Sequence, residues 1–169
     1  MQRETRTRIL ILTLAALAYI PHGVEGGTVW RVASSIQSQS FEVAEATIPE
    51  MQEAMERGLV TSVGLVDAYF ARIEAYDQRG PRLNTVIRLN PNARAAAAAL
   101  DRERVERGTR GPLHGIPILL KDNYDTADMP TTGASMALAG LIPPNDAFQV
   151  RKLREAGAIV LGKLNMHEL

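Results

Sequence analysis

The stretch GPLHGIPILLKDNYDT, residues 111–126, carries the strongest structural signal in this chain of 169 residues. The apolar run from Ile116 to Leu120 predicts a buried strand, and Pro117 favours either the start of that strand or an edge position in the sheet. Lys121 follows directly. A lysine at the end of a buried strand either pairs with a carboxylate or loses its proton, and a neutral lysine is a base. Lys121 is therefore a candidate catalytic residue.

Lys121 also has a purely structural interpretation, in which it pairs with Asp122 or Asp125 and ends the strand. The scarcity of lysine favours chemistry, because only three of the nineteen Lys and Arg residues are lysines: Lys121, Lys152 and Lys163. Arginine would supply charge equally well, but it does not deprotonate at accessible pH. Lowering a lysine pKa from about 10.4 to about 7 requires roughly 4–5 kcal/mol, which only a dry, closed site supplies. Both interpretations stay open from the residues alone.

Helix and strand signals alternate on both sides of residues 116–120. Thr47 and Glu50 form a predicted capping box, and Asn90 with Pro91 suits the first turn of another helix. The predicted order is helix 47–58, helix 61–79, strand 83–89, helix 90–108, strand 116–120, loop 124–145, a helix 146–157 capped by Asp146, and strand 158–161. This alternation predicts an α/β protein with a substantially parallel sheet.

The N-terminus has the order of a secretory signal peptide, with a basic start, an apolar run and small residues. The basic residues are Arg3, Arg6 and Arg8, the apolar run is 9–20, and the small residues are Gly23, Gly26 and Gly27. The run is shorter than the roughly 20 residues of a spanning helix. We predict a signal peptide over 1–26, export to the periplasm or medium, and no stable membrane association after cleavage. An uncleaved anchor or a buried helix is the alternative. Residues 27–46 are predicted to lead into the mature protein.

Composition excludes several classes of function. Nineteen basic residues balance nineteen acidic ones, so no overall field attracts nucleic acid or an anionic membrane. The absence of cysteine excludes disulfides, thiolate catalysis and Cys-ligated zinc. His114 lies in a Gly-Pro segment typical of a turn or packing residue, and His167 lacks the second histidine of a zinc-protease helix. We predict no metal and no cofactor.

Two further motifs have weaker chemical interpretations. Residues 157–163 match the first seven positions of a phosphate-binding loop, but Leu164 stands where a Ser or Thr holds magnesium, and the intervening AIVL is a strand sequence. We therefore reject a nucleotide-binding module. Ser135 is the only serine after Lys121, and its segment lacks the GxSxG arrangement of a nucleophile turn, so we interpret Ser135 as loop structure.

Three segments together resemble the N-terminal half of the amidase signature family, serine hydrolases of carboxamides. They are residues 111–126, MPTTGAS at 129–135 and NDAFQVRKLREAGAIVLGKLNMHEL at 145–169. The resemblance extends over residues 45–169, so that 47–169 is the N-terminal part of an amidase domain. It implies an α/β fold with a central mixed sheet flanked by helices, here incomplete.

The resemblance also implies a mechanism. Family members use a Ser, cis-Ser, Lys triad, and Lys121 corresponds by motif position to the triad lysine. Both serines and the oxyanion-hole amides lie in a Gly- and Ser-rich segment after the one matching GKLNMHEL. The expectation is therefore the N-terminal portion of an exported amidase, truncated and inactive alone, whose full enzyme hydrolyses a small-molecule amide through an acyl-serine. Lys163 matches a family position after a strand, and we assign it no catalytic role.

Two alternatives remain. One is the amidase subunit of a tRNA-dependent amidotransferase, which shares these motifs, although a signal peptide argues against it because charged tRNA is cytosolic. The other is a non-catalytic binding protein that retained the amidase scaffold. The sequence leaves the amide substrate and the oligomeric state open.

Overall fold

The computed structural model describes residues 41–167. The predicted signal peptide, 1–26, and the first part of the predicted lead-in therefore lie outside the described residues. The main elements are helices α1 (Ile48–Glu56), α2 (Ser62–Arg72), α3 (Ala93–Arg107) and α4 (Phe148–Glu155), and strands β1 (Val86–Leu89), β2 (Pro117–Lys121) and β3 (Ile159–Leu164). Helix α2 continues into a π-helical segment, Ile73–Gln78, and a 3₁₀ turn, Met136–Leu138, lies between β2 and α4.

The three strands of this described part form one mixed sheet in the order β1-β3-β2. Strand β3 is central, parallel to β2 and antiparallel to β1. The predicted α/β class and the mixed sheet are thereby confirmed, while the expectation of a substantially parallel sheet holds for only one of the two strand pairs. Strands β1 and β2 are the outer strands, and Ile87 and Leu89 on β1 are exposed.

Local capping explains where the helices begin and end. The Thr47 side chain accepts from the Glu50 amide, while the Glu50 carboxylate accepts from the Thr47 amide, so the predicted capping box is confirmed. Thr61 caps α2 through its hydroxyl, which accepts from the amide of Gly64. Gly157 has a φ of 87°, a left-handed conformation that suits glycine immediately after a helix. These helix boundaries therefore depend on contacts between residues close together in the chain.

Three boundaries differ from prediction. Asp146 does not cap α4, because its carboxylate instead accepts from the Ala127 amide at 2.9 Å and pairs with Arg154. Asn90 forms a turn through its side chain, which accepts from the Asn92 amide, so α3 begins later, at Ala93. Strand β3 continues beyond Leu161 because both of its neighbours hold it in the sheet, and Lys163 therefore lies inside the strand.

Apolar side chains from β3 contribute to cores on both faces of the sheet. On one face, Ile159 and Leu161 pack with Val66 of α2 and with Ala93, Ala97 and Leu100 of α3. On the other face, Val160 packs with Leu120, Met129 and Val150 of α4. A third cluster joins α1 to α2 and the start of β2 through Val43, Met51, Met55, Leu65 and Ile116. Successive β3 residues thus alternate between two buried layers, which explains why the strand reads as a continuous apolar run.

Gly162 permits the antiparallel neighbour to pack against β3. A Cβ atom at residue 162 would lie 2.2 Å from the carbonyl oxygen of Arg88 on β1, a distance that no side chain tolerates. The β1–β3 register is irregular between Val86 and Arg88, and the β2–β3 register between Ile118 and Leu119. Glycine at position 162 is therefore required by the close approach of the β1 backbone.

The buried carboxylate of Asp77 anchors the start of β1 to the π-helical segment. It accepts from the Thr85 amide at 2.6 Å, from the Thr85 hydroxyl at 2.5 Å, from the Val86 amide at 3.2 Å and from the Gln78 side chain at 2.6 Å. Burial raises the pKa of Asp77, but these hydrogen bonds outweigh that effect and hold the pKa below its ordinary value.

Asp77 is expected to make stability pH-dependent in the acid range. A carboxylate whose folded pKa is depressed stabilises the fold above its unfolded value, about 3.9, and that contribution is lost as pH falls through the lower folded value. We expect Asp77→Asn to reduce the free energy of unfolding by about 1–2 kcal/mol at pH 7 and to flatten its decline below pH 4. Urea unfolding of the 169-residue chain at pH 7, 5, 4 and 3 measures both effects.

The matched control is Asp67→Asn, which removes an exposed carboxylate paired with Arg94. Exposed pairs contribute at most about 1 kcal/mol, so this variant should retain the acid dependence of the parent. An Asp77→Asn variant with the parent's pH dependence would contradict the role of Asp77.

Candidate active site

Two lysines lie at the carboxyl ends of the parallel strands. Lys121 is the last residue of β2, and Lys163 is the residue before the last of β3. The register pairs Lys121 with Leu164 and Leu120 with Lys163. Because side chains alternate along a strand and paired residues share a face, the two lysine side chains leave the sheet on opposite faces. This edge is where ligands usually bind in α/β sheets.

The side chain of Lys121 is exposed, and its Nζ donates a hydrogen bond to the carbonyl oxygen of Asn165 at 2.8 Å. Among residues 41–167 no carboxylate lies within ion-pair distance of this Nζ, so the alternative pairing with Asp122 or Asp125 is wrong for the described fold. The expectation of a buried lysine at this strand end is also wrong, because β2 is an outer strand and Lys121 points away from the layer that contains α4. Its catalytic role stays a prediction.

Lys163, and not Lys121, is the buried lysine. Its side chain is 0% exposed, and its Nζ donates to the carbonyl oxygen of Tyr124 at 2.6 Å and to the hydroxyl of Thr131 at 2.7 Å. The carboxylate of Asp122 lies 3.9 Å away. Burial lowers the pKa of Lys163, although nearby aspartates, above all Asp122, oppose that effect. The available sequence signal was that IVLGKL continues the apolar run through residue 163.

Asp122 joins the buried lysine to the loop that follows β2. Its carboxylate, 1% exposed, accepts from the Thr132 amide at 3.1 Å and from the Thr132 hydroxyl. Its backbone amide donates to Leu164, and its carbonyl accepts from Gly133, both at 3.0 Å. The hydrogen bonds with Thr132 and Gly133 join the first residue of segment 122–133, which directly follows Lys121, to the last two residues of the segment. The buried charges of Lys163 and Asp122 compensate one another, which offsets a desolvation cost of several kcal/mol per ion.

A surface depression of about 340 Å³ lies beside this loop. Its lining includes the segment from Ala134 to Met136, residues Pro130, Thr132, Ala139 and Gly140, Asp122, Asn165, and Ile87 and Arg88 of β1. Asn165 connects the depression to Lys121, because its carbonyl accepts from that amine. Ser135 also lines it, in the exposed loop before the 3₁₀ turn, and no hydrogen bond joins Ser135 to Lys121 in the described region. Ser135 therefore keeps its interpretation as loop structure.

The remaining sequence candidates have structural roles. His114 is buried, with Nε2 2.9 Å from the Leu100 carbonyl oxygen and Nδ1 accepting from the Arg110 amide at 3.2 Å, so its interpretation as a packing residue is confirmed. Residues 159–163 belong to β3, which agrees with the rejection of a phosphate-binding loop. Within residues 41–167, no three His, Cys, Asp or Glu side chains are grouped to hold a metal, and no helix is long and apolar enough to cross a membrane.

The profile of the family described as Amidase matches residues 64–169. The chain belongs to the amidase family. A putative amidase of Schizosaccharomyces pombe is 44% identical over 131 residues, which are 77% of this chain and 22% of that protein. A glutamyl-tRNA(Gln) amidotransferase subunit from Geobacter metallireducens is also 44% identical, over 76% of this chain and 26% of its own length. This amidase-family chain thus spans about a quarter of the length of the curated relatives it matches.

Solved structures agree with the sequence relatives. The native peptide amidase of Stenotrophomonas maltophilia superposes with a TM-score of 0.71 and 52% identity, covering 73% of this chain and 25% of that one. An amidase family protein from Bacillus anthracis gives the same TM-score at 42% identity over the same share of this chain. The family resemblance read from the sequence and the fold it implies are confirmed.

Proposed function

We propose that this chain supplies the base of an amidase that hydrolyses the C–N bond of small-molecule carboxamides through an acyl-serine intermediate. Family membership supports the reaction class. The observation that carries the proposal is the position of Lys121, whose amine is accessible at the carboxyl end of β2 beside the depression of about 340 Å³. Lysine suits the task because its neutral form accepts a proton.

In the proposed mechanism Lys121 accepts a proton through a bridging serine. The nucleophilic serine gives its proton to the bridging serine, the bridging serine gives its own to Lys121 Nζ, and the serine oxygen attacks the amide carbon. Collapse of the tetrahedral intermediate breaks the C–N bond, and the proton returns through the same relay to the leaving nitrogen. Water then gives a proton to the same relay as it attacks the acyl carbon, the acyl C–O bond breaks to release the carboxylic acid, and the proton returns to the serine oxygen. The two serines are those implied by the family resemblance.

The amidotransferase alternative has support from the relatives, since this chain is equally identical to the Schizosaccharomyces pombe protein and to the amidotransferase subunit from Geobacter metallireducens. The peptide amidase structure, at 52% identity over 73% of the chain, favours amide hydrolysis. The signal-like order of residues 1–26 favours the same choice.

Lys121 is expected to be essential in a complete amidase. We propose a chimera in which residues 41–167 replace the matching segment of the Stenotrophomonas maltophilia peptide amidase. Lys121→Met should reduce kcat at least about a thousandfold, because the relay then has no terminal base. Ammonia release from peptide amides measures the effect.

Lys152→Met is the matched control, because Lys152 lies exposed on α4, where it pairs with Glu155. This variant should retain the activity of the unmodified chimera. Full activity in Lys121→Met would refute the base role, and an unmodified chimera that folds without activity would favour a binding protein on an amidase scaffold.

The 169-residue chain alone is expected to show no amidase turnover. The proposed relay needs a serine hydroxyl in contact with the base, and within residues 41–167 the Lys121 amine donates instead to the Asn165 carbonyl. Ammonia release by the purified chain should equal that of its Lys121→Met variant. Turnover that disappears in that variant would contradict the expectation.

We propose that the mature protein is exported by residues 1–26. Fusing residues 1–40 to an alkaline phosphatase without its own signal should give activity outside the cytoplasm and a shortened fusion. Leu14→Arg places a charge inside the apolar run and should abolish both results, since that run must insert as an apolar segment. Export that persists in Leu14→Arg would argue against a signal peptide.

A further inference from the structure

Lys163 is a buried amine that the proposed reaction does not use. Its Nζ contacts three groups: the Tyr124 carbonyl at 2.6 Å, the Thr131 hydroxyl at 2.7 Å and the Asp122 carboxylate at 3.9 Å. All three belong to the segment that follows Lys121 in the chain. Two of the three donors of the amine form hydrogen bonds, and the carboxylate of Asp122 lies within ion-pair distance, so the buried side chain is held by groups of the protein.

Two of the residues that contact Lys163 also form backbone hydrogen bonds at the end of β2. The Lys121 carbonyl accepts from the Tyr124 amide at 3.1 Å, and the next amide, that of Asp122, donates to Leu164 at 3.0 Å. Asp122 and Tyr124 are thus both partners of the buried ammonium and backbone partners of the strand end. Displacing the ammonium would therefore move the peptide units that orient Lys121.

If Lys163 and Asp122 served only to stabilise the fold, apolar side chains at these positions would serve equally well. Replacing a buried ion pair by well-packed apolar side chains is often neutral or stabilising, so the pair contributes little to stability by itself. In this fold, apolar side chains already fill the same layer at Val160 and Leu120. Packing therefore does not account for a charged side chain at residue 163, which lies one strand away from Lys121.

We propose that Lys163 is a positioning residue for the catalytic base, acting through Asp122 and the segment 122–131 to hold Lys121 in the orientation that the serine relay requires. The inference rests on the proposed function of Lys121. Its chemistry is a fixed arrangement of two opposite charges behind the strand end.

The two charges predict a pH dependence of activity that packing alone does not produce. Asp122 is the carboxylate within ion-pair distance of Lys163; Asp125, Asp128 and Asp146 add weaker negative charge that opposes the lowering of the Lys163 pKa, and the last two pair with Arg154. With the ammonium removed, the carboxylate of Asp122 remains and favours the protonated form of the neighbouring base. With the Asp122 charge removed, the ammonium remains and disfavours that form. The base loses its proton in the acid limb of the pH profile. This limb should therefore move to higher pH when the Lys163 charge is removed and to lower pH when the Asp122 charge is removed.

The decisive experiment measures kcat and KM against pH in the chimera and in its Lys163→Met and Asp122→Asn variants. We expect kcat to fall about ten- to hundredfold in each variant with KM within about threefold, because the base is misplaced while substrate contacts persist. The acid limbs should shift in opposite directions. In the double variant the limb should return towards that of the parent while kcat stays low. Lys152→Met, an equal loss of charge at an exposed site, should change neither quantity.

A second arm uses the 169-residue chain itself. The chain has three lysines, so selective isotope labelling gives three lysine resonances that single substitutions assign. Asp122→Asn and Thr131→Val should shift the Lys121 signal and leave that of Lys152 unchanged. Thr131→Val removes one acceptor while it keeps both charges, so this arm tests the coupling even where Lys163→Met fails to fold.

The outcomes separate the two proposals. Full activity in Lys121→Met refutes the base role and with it the proposed function. An inactive Lys121→Met together with a folded Lys163→Met of parental kcat and pH profile overturns only the positioning role. Shifts of both acid limbs in one direction, or a Lys121 resonance unchanged in Asp122→Asn and Thr131→Val, overturn it as well.

Discussion

Strand β3 determines the arrangement of everything around it, because it hydrogen-bonds to both other strands and contributes apolar side chains to both layers. Its central position depends on a backbone approach that only Gly162 allows, since any Cβ there would collide with the Arg88 carbonyl. The parallel pairing with β2 then brings residues 121 and 163 to one edge. A local steric constraint thus places the chemically important residues next to each other.

The two faces of that edge differ in their exposure to solvent. One face presents Lys121 to solvent, where its only described partner is the Asn165 carbonyl. The other face encloses Lys163 and Asp122 within the loop that returns to α4. The exposed amine of Lys121 and the buried pair of Lys163 and Asp122 therefore lie on opposite faces of the sheet.

Short-range signals in the sequence predicted most of the fold. The capping box at Thr47 and Glu50, the glycine after α4 and the apolar run of β2 each depend on neighbouring residues, and the structure has each of them. The errors at Asp146 and Asp122 involve partners far apart in the chain. Asp146 bonds to Ala127 instead of capping a helix, and Asp122 pairs with a lysine 41 positions later rather than with its neighbour.

The candidate site was likewise predicted only in part, because its burial depends on contacts between distant parts of the chain. Its location after β2 followed from the sequence, because a lysine after an apolar run is visible without tertiary information. The exposure of Lys121 and the burial of Lys163 did not follow, since they depend on which strand is central and which is outer. The family motifs supplied a role for Lys121 that periodicity alone does not contain.

The two outer strands have a consequence for how the chain behaves in solution. Strand β1 presents its outer backbone groups together with the exposed side chains of Ile87 and Leu89, and the outer side of β2 has no strand partner in the described fold. Unpaired strand edges with apolar side chains are templates for sheet extension. Further protein of a complete amidase, or another copy of this chain, could cover these edges. Covering them would control how strongly the molecule associates with itself in solution.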